Sequence, residues 1–214
     1  LYNNQPIDDI GRGSNSVRVG EPMGIFYSYK LLGIDPSTGD CVYSNERMKV
    51  GDPHPDFIGG VTNTFKYQGF DLNVFFQFSY GNDVFHGSRL FLESLQGGDN
   101  QLEAITRRWQ KPGDITDIPR ATSDPVKSVE NKRVSSRFIE DGSYLRLKNL
   151  TFGYSFSRNV TKNLHLESLR IYFTGQNLLT FTNYTGLDPE VNYIGNDNTL
   201  IGTDFFTYPQ ARSF

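Results

Sequence analysis

Apolar and polar side chains alternate over several long stretches of this chain, and a repeat of two residues predicts β-strands. The clearest alternation covers residues 70–80. One parity holds Phe70, Leu72, Val74, Phe76, Phe78 and Tyr80, and the other holds Asp71, Asn73, Phe75, Gln77 and Ser79. At about 3.3 Å per residue, a tilted strand of this length crosses the hydrocarbon core of a bilayer.

Further strands are predicted on both sides of this one. Residues 61–67 alternate in the same way, and Gln68-Gly69 predicts a tight turn between the two strands. In 144–156 the apolar residues change parity, and a β-bulge near Lys148-Asn149 would bring them back to one face. Strands are also predicted over 24–33, from 41 to 43 and over 169–174.

The connections between these strands alternate in length. They are long at 34–56, short at 68–69, long at 81–136, short at 157–163 and long again from 182 onward. Short helices are expected within the long connection at 88–95 and 101–109, the second capped by Asp99 or Asn100. An up-and-down barrel with long outer loops and short inner turns predicts this alternation, whereas a Greek-key sandwich does not require it.

Two environments are compatible with the apolar face of the 70–80 strand. In a soluble sandwich the face would pack on a second sheet, and in a membrane barrel it would meet lipid while the polar face lines a wet lumen. Aromatic residues at both ends, Phe70 and Tyr80, favour the barrel, because aromatic girdles lie at the two membrane interfaces. No window holds the roughly 18 consecutive apolar residues that a membrane helix needs.

Composition and charge narrow the functional classes. The chain has 17 Phe and 12 Tyr, which suits β-structure, and its net charge of −3 gives no basic patch for a nucleic-acid partner. Cys41 is the single cysteine, so it forms no internal disulfide. The first residues lack the basic and apolar regions of a signal peptide, and a natural start is not expected at Leu1.

The sequence contains no group of residues with the spacing of a known catalytic or metal-binding site. His54, His86 and His165 are scattered, and no Gly-x-Ser-x-Gly motif is present. Glu140 and Asp141 are adjacent, so they would face opposite sides of a strand, solvated or paired with Arg137. We therefore expect no enzyme activity, no cofactor, and no catalytic or metal-binding residue.

Two acidic loops could bind a cation, and we weigh this alternative against simple solvation at the surface. The acids of 34–40 miss the spacing of a calcium-binding EF-hand loop, so turn formation is favoured there. A second acidic loop, favoured as solvated surface over a cation site, contains Asp188, Glu190, Asp197 and Asp204.

Aromatic residues in the expected loops are candidates for binding. They are Trp109, Tyr184, Tyr193 and Phe206. Stacking on sugar rings, packing within the loops and contact with a partner protein all remain open, so no substrate-binding residue is assigned.

Several motifs, in order along most of the chain, resemble the late region of SusC/RagA-type TonB-linked receptors. They are GEPMGIFY (20–27), GIDPSTGD (33–40), DFIGGVTN (56–63), FIEDGSYLRLKNLTFGY (138–154), GQNLLTFT (175–182) and YTGLDPEV (184–191). The resemblance implies an all-β fold of antiparallel up-and-down strands. These would form part of an outer-membrane barrel of about 22 strands with a plugged lumen.

The resemblance also implies a function. Members of this family sit in the bacterial outer membrane and import oligosaccharides or peptides. They use TonB for energy and pair with a SusD-like surface lipoprotein. We expect residues 1–214 to be the C-terminal portion of such a receptor, a fragment with the plug and the final strand absent. The alternative is a secreted soluble β-sandwich that binds carbohydrate.

Overall fold

The computed structural model describes residues 10–96, 100–195 and 197–214, without the side chains of Ile10 and Arg12. The helix cap predicted at Asp99 lies outside these residues. The strands are β1 (Ile10–Arg12), β2 (Asn15–Val17), β3 (Ile25–Ile34), β4 (Cys41–Gly51), β5 (Phe57–Tyr67), β6 (Phe70–Tyr80), β7 (Asp83–His86), β8 (Ile139–Asp141), β9 (Tyr144–Ser155), β10 (Arg170–Thr182) and β11 (Thr203–Asp204). The α-helices are α1 (Arg89–Leu92), α2 (Pro125–Asn131) and α3 (Arg158–Asn163), and single 3-10 turns cover Glu103–Arg107 and Ser136–Phe138.

The chain divides into two compact units. The first contains Leu1–His54, Asn82–Asp141 and Val191–Thr207, and the second contains Pro55–Gly81, Gly142–Glu190 and Tyr208–Phe214.

The second unit is built on one antiparallel sheet, which we call the long sheet. Its strands are arranged in the order β10-β9-β6-β5 and are 11 to 13 residues long. The predicted 61–67/70–80 hairpin is confirmed as the β5–β6 pair. Its turn residues Gln68 and Gly69 have φ values of 46° and 88°. Two positive φ angles are what a tight hairpin turn with the twist of the flanking strands requires.

The register of the long sheet collects the apolar residues on one face. Phe76 lies opposite Val61 on one neighbouring strand and Leu147 on the other. The predicted bulge is also confirmed, because Phe75 pairs with Asn149 while the adjacent Phe76 pairs with Leu147. Lys148 is the extra residue between these pairs. It restores the apolar parity of β9.

The tail continues the pattern beside β10. Gln176 donates its backbone N–H to the Ser213 carbonyl at 2.9 Å, and Ser213 returns a bond of 3.3 Å to the Gln176 carbonyl. Ser213 is therefore paired in antiparallel fashion with the outer edge of the long sheet.

The first unit holds two smaller sheets, with the orders β1-β2-β3-β4 and β11-β7-β8. Its apolar core contains Phe26, Phe85 and Phe138. The predicted long connection at 34–56 is wrong, because β4 (Cys41–Gly51) occupies most of it. The actual β3–β4 turn covers residues 35–40. It is closed by a bond from the Gly39 N–H to the Asp35 carbonyl.

The helices of the loops are shorter than the sequence indicates. The helix predicted over 88–95 is the single turn α1, and the one predicted over 101–109 is the 3-10 turn Glu103–Arg107. The helices α2 and α3 were not predicted. Across the described residues, every helix is too short or too polar to cross a membrane.

Candidate functional site

The two faces of the long sheet differ in chemistry. On the apolar face, Phe65, Ile171 and Phe181 remain 60%, 61% and 59% exposed. Large apolar side chains exposed across one face of a sheet would be unfavourable against bulk water. The apolar face is therefore suited to a nonpolar environment rather than to water.

The opposite face is polar and bonded across strands. Asp71 on β6 accepts from Arg170 on β10 at 2.6 Å. Gly153 lies on the strand between them. A Cβ on this glycine would come within 2.6 Å of the Arg170 guanidinium, so the ion pair passes over the glycine. Nearby, Thr151 and Thr174 are hydrogen-bonded at 3.0 Å. Such a face is suited to water.

A buried ion cluster joins this polar face to the loop after β10. We call Arg146, Asp188 and Glu190 the Arg146 latch. Arg146, on β9, is 1% exposed. Its Nη2 donates to Asp188 Oδ1, and its Nη1 lies 3.1 Å from Glu190 Oε2. Lys148 reaches the same glutamate oxygen at 3.3 Å.

Asp188 is the centre of the latch. Its carboxylate also accepts from the backbone N–H of Glu190 at 2.9 Å and from that of Gln210 at 2.8 Å. Burial opposes ionisation of Asp188, but the bonds from Arg146 and these two amides outweigh it and hold the pKa below its ordinary value. One carboxylate thus fastens β9, the loop and the tail together.

A cavity of about 500 Å³ lies at the latch, which is large enough for a small ligand. Thr180 is opposite Arg146 in the sheet register and lines the cavity with it. The full lining is Arg146, Asn177, Thr180, Thr182, Leu187, Asp188, Pro189, Pro209, Gln210, Ala211 and Arg212.

The aromatic candidates from the sequence fall into three places. Tyr193 and Phe206 join Phe91 and Phe205 in what we call the loop aromatic patch, with ring centroids 5.5 to 6.4 Å apart. An apolar cleft of about 340 Å³ lies beside Tyr193 and Phe205. Trp109 packs on Gly39 and donates its Nε1–H to the Pro36 carbonyl, and Tyr184 is buried. Of the four candidates, Tyr193 and Phe206 in the patch are exposed, whereas Trp109 is half-buried.

The backbone of Phe206 is strained. Its φ is 54°, a region that an aromatic residue rarely adopts. Its N–H donates to Ser88 Oγ at 2.7 Å, which helps to hold it there. Residues in such conformations are concentrated at functional sites, so the exposed ring of Phe206 is a candidate contact.

His86 and Glu140 take part in a network of ion pairs. His86 lies 3.2 Å from Glu140, which also accepts from Arg89 at 2.7 Å. Glu93 accepts from both Arg89 and Arg137. Within the described ranges, no group of three or more His, Cys, Asp or Glu side chains is placed to hold a metal ion.

The four acids expected to form a solvated loop do not behave alike. That interpretation is wrong for Asp188 and Asp204, which are 5% and 3% exposed. Asp197 accepts from the backbone N–H of Thr199, and Asp35 in the earlier acidic loop accepts from that of Ser37. Both bonds support turn formation rather than cation binding.

The pairing of Arg146 with Asp188 was not predicted from the sequence, because the two residues are 42 positions apart. One signal was present: Arg146 stands between two leucines at a polar-face position of a strand.

The fold and the site together define the class. Long antiparallel strands with an exposed apolar face, a polar face crossed by a loop, and long connections with short helices form part of the wall of a large β-barrel. No protein-family model matches the chain.

Comparison with known proteins identifies the family. The chain is 36% identical over 234 residues to TonB-dependent receptor P3 of Formosa agariphila, a match that covers 96% of this chain and 23% of that protein. It is 26% identical to TonB-dependent receptor SusC of Bacteroides thetaiotaomicron, over 97% of this chain and 20% of SusC. We conclude that the chain belongs to the SusC/RagA-type TonB-dependent receptors.

A solved structure agrees in fold. The RagAB peptide importer in its open-open state superimposes with a TM-score of 0.77 at 23% identity, covering 99% of this chain and 24% of that one. The chain thus spans about a quarter of the length of the relatives it matches.

Proposed function

We propose that this chain supplies barrel wall and extracellular loops to an outer-membrane receptor that imports nutrients with energy from TonB. Residues 1–214 correspond, in this proposal, to the C-terminal portion of that receptor. The observation that carries it is the two-faced long sheet, whose apolar side suits lipid and whose polar side suits a wet lumen.

The soluble sandwich is the weaker alternative. A sandwich would cover the apolar face of its sheet with a second sheet, whereas Phe65, Ile171 and Phe181 are exposed here. The likeness in fold to a barrel transporter also favours the receptor.

The cargo is proposed to be an oligosaccharide or a peptide. One solved structure of similar fold is titled a peptide importer, which supports the peptide class. The oligosaccharide class rests on the resemblance to the SusC/RagA family. A SusD-like surface lipoprotein is the proposed partner. The loop aromatic patch is a candidate surface for it, since exposed aromatic rings are enriched at protein interfaces.

Uptake by cells that make the full-length protein tests this function. We would express it in the outer membrane of a host, with and without functional TonB, and measure uptake of labelled hexasaccharides and hexapeptides. The proposal expects uptake of at least one probe that disappears without TonB. Recovery of the protein in the soluble secreted fraction, or uptake that is independent of TonB, would contradict it.

A variant with a matched control separates the partner from the transport step. Phe206→Ala removes an exposed ring, and Phe91 and Tyr193 would then present a smaller patch. Weaker co-purification of the lipoprotein is expected with Phe206→Ala. The control Ile115→Ala removes an exposed apolar side chain elsewhere in the loops and should leave co-purification unchanged.

A further inference from the structure

A short stretch of chain, residues 206–210, joins the loop aromatic patch to the Arg146 latch, and we call it the connecting segment. The exposed ring of Phe206 lies at its start, in the patch. At its end, the backbone N–H of Gln210 donates to Asp188 Oδ2 at 2.8 Å. This bond is one of the three that hold the Asp188 carboxylate, so any movement of Gln210 acts directly on the latch.

The start of the connecting segment has an unfavourable conformation. The φ of Phe206 is 54°, which brings its Cβ too close to its own carbonyl oxygen. Among the residues that the structure describes, Thr207 Oγ1 is also buried without a hydrogen bond. Such features persist only where surrounding contacts impose them. The contacts here are the bonds from the Phe206 N–H to Ser88 Oγ at 2.7 Å and from the Thr207 N–H to Asp204 Oδ1 at 3.0 Å. An ordinary, negative φ at Phe206 would relieve the backbone strain.

A change of φ at Phe206 would be passed on to Gln210, because the middle of the segment is stiff. Pro209 has a fixed φ and restricts the residue before it, Tyr208, to extended conformations. The Tyr208 side chain is 94% exposed, so little packing holds it in place. Rotation of Phe206 to a negative φ redirects the chain that follows. Gln210 could not then stay within hydrogen-bond distance of Asp188.

We propose that Phe206 is a conformational switch, and that a surface lipoprotein binding its ring stabilises the backbone with negative φ and thereby draws Gln210 away from Asp188. The tail then loses its pairing with β10 at Gln176 and Ser213. The strain released at Phe206 favours this state, and the latch and the partner affect each other reciprocally. The inference rests on the proposed function for the identity of the partner. It gives a contact at the loops an effect on the polar face of the long sheet.

Two substitutions at Phe206 with opposite backbone preferences test the switch in the full-length protein in lipid vesicles. Phe206→Asn tolerates a positive φ, whereas Phe206→Val opposes it because valine is β-branched, and both remove the ring. The readout is hydrogen exchange of the Gln176 amide, which donates to the Ser213 carbonyl in the tail. The matched control is the pair Tyr208→Asn and Tyr208→Val, at an exposed residue of the same segment without a positive φ.

We expect the Gln176 amide to exchange about tenfold faster in Phe206→Val than in Phe206→Asn, and equally within about twofold in the Tyr208 pair. If Phe206→Val fails to fold, Phe206→Ala takes its place, with an expected difference of about threefold from Phe206→Asn. Equal exchange in the Phe206 variants overturns the proposal. It is also overturned if the Tyr208 pair differs as much, since the effect would then not depend on the strained φ.

The role of the partner is tested on the complex that co-purifies with the full-length protein. We expect the Gln176 amide to exchange about fivefold or more faster with the lipoprotein bound than without it. Unchanged or slower exchange in the complex overturns the proposal. Failure of a lipoprotein to co-purify contradicts the partner of the proposed function, whereas the Phe206 variants report on the switch itself. TonB-dependent uptake, measured separately, shows whether the import function stands when the switch fails.

Discussion

Removing the Asp188 carboxylate should release the loop and the tail from the long sheet. Asp188→Ala deletes the acceptor of three donors: the Arg146 guanidinium and the backbone N–H groups of Glu190 and Gln210. Of its two ion pairs, Arg146 would keep the one with Glu190. The mutation thus leaves a buried cation partly unpaired, which is among the most destabilising changes a protein can undergo.

The expected loss follows from the surroundings. Breaking a buried ion pair by removing one partner costs about 3–5 kcal/mol. The low end, about 3 kcal/mol, applies here because the adjoining cavity lets water reach the freed guanidinium. That free energy corresponds to an opening equilibrium about a hundredfold more favourable.

Hydrogen exchange of backbone amides measures this opening of the tail from the long sheet. The amide of Gln176 donates to Ser213 in the tail and does not touch Asp188, so its exchange reports release of the tail. We expect Asp188→Ala to accelerate it about a hundredfold, and the conservative Asp188→Asn to accelerate it less. Asp197→Ala, which removes a turn carboxylate in the other unit, is the control. Unchanged exchange in Asp188→Ala would refute the latch.

The latch should also have a defined pH dependence. The pKa of Asp188 is lowered from 3.8 in the folded protein, so its stabilisation is complete above that ordinary value. It is lost as the pH falls below 3.8 through the lowered pKa. The Gln176 amide should therefore stay protected at about pH 5 and lose protection only in stronger acid, whereas loss of protection between about pH 5 and 7 would contradict this assignment.

Three further substitutions test other parts of the structure. Val74→Arg on the apolar face should lower the unfolding free energy in lipid vesicles by about 2–4 kcal/mol. Asn73→Arg on the polar face should change that free energy little. Equal losses for the two variants would contradict the assignment of faces. Glu93→Ala should lower the denaturation temperature markedly, by about 3–5 kcal/mol in unfolding free energy, because the buried Arg137 guanidinium loses its ion-pair partner, while Arg89 keeps Glu140. The exposed Glu103→Ala should not lower it. Gly69→Ala should slow refolding and lower the free energy of unfolding by about 1–2 kcal/mol, because the φ of Gly69 is 88° and a Cβ would meet a backbone oxygen at 2.7 Å. A neutral effect would exclude a left-handed backbone at this turn.

The long sheet was largely predictable because its signals are local. Alternation in 70–80 predicts a strand, and the parity change in 144–156 predicts the bulge that the register places at Lys148. Residues 68–69 predict the hairpin turn. In a strand with one apolar and one polar face, the alternation of residues in the sequence is sufficient to predict which residues lie on each face.

The elements of the first unit were harder to predict. β4 (Cys41–Gly51) carries mainly polar residues after Tyr43, so it lacks the alternation that marks β6. A usable signal for α2 was overlooked: Asp124 precedes Pro125 and caps the helix through bonds from the amides of Val126 and Lys127.

The candidate site depends on contacts between distant parts of the chain. Asp188 meets Arg146 because the loop after β10 returns to β9, and the long sheet brings Thr180 opposite Arg146. Neither relation leaves a periodic signal in the sequence. The aromatic residues Tyr193 and Phe206 were identified as candidates, but their grouping around Phe205 required the structure.

Solvent accessibility along β6 tests the central assignment of the two faces most directly. Nitroxide labels would be attached singly to positions 72, 73, 74 and 75 of the full-length protein in lipid vesicles, after replacement of Cys41 by serine. Collision rates with oxygen, which concentrates in lipid, and with a water-soluble nickel complex would then be compared. The account predicts oxygen access at Leu72 and Val74 and nickel access at Asn73 and Phe75. Equal access at both parities, or the reverse pattern, would contradict it.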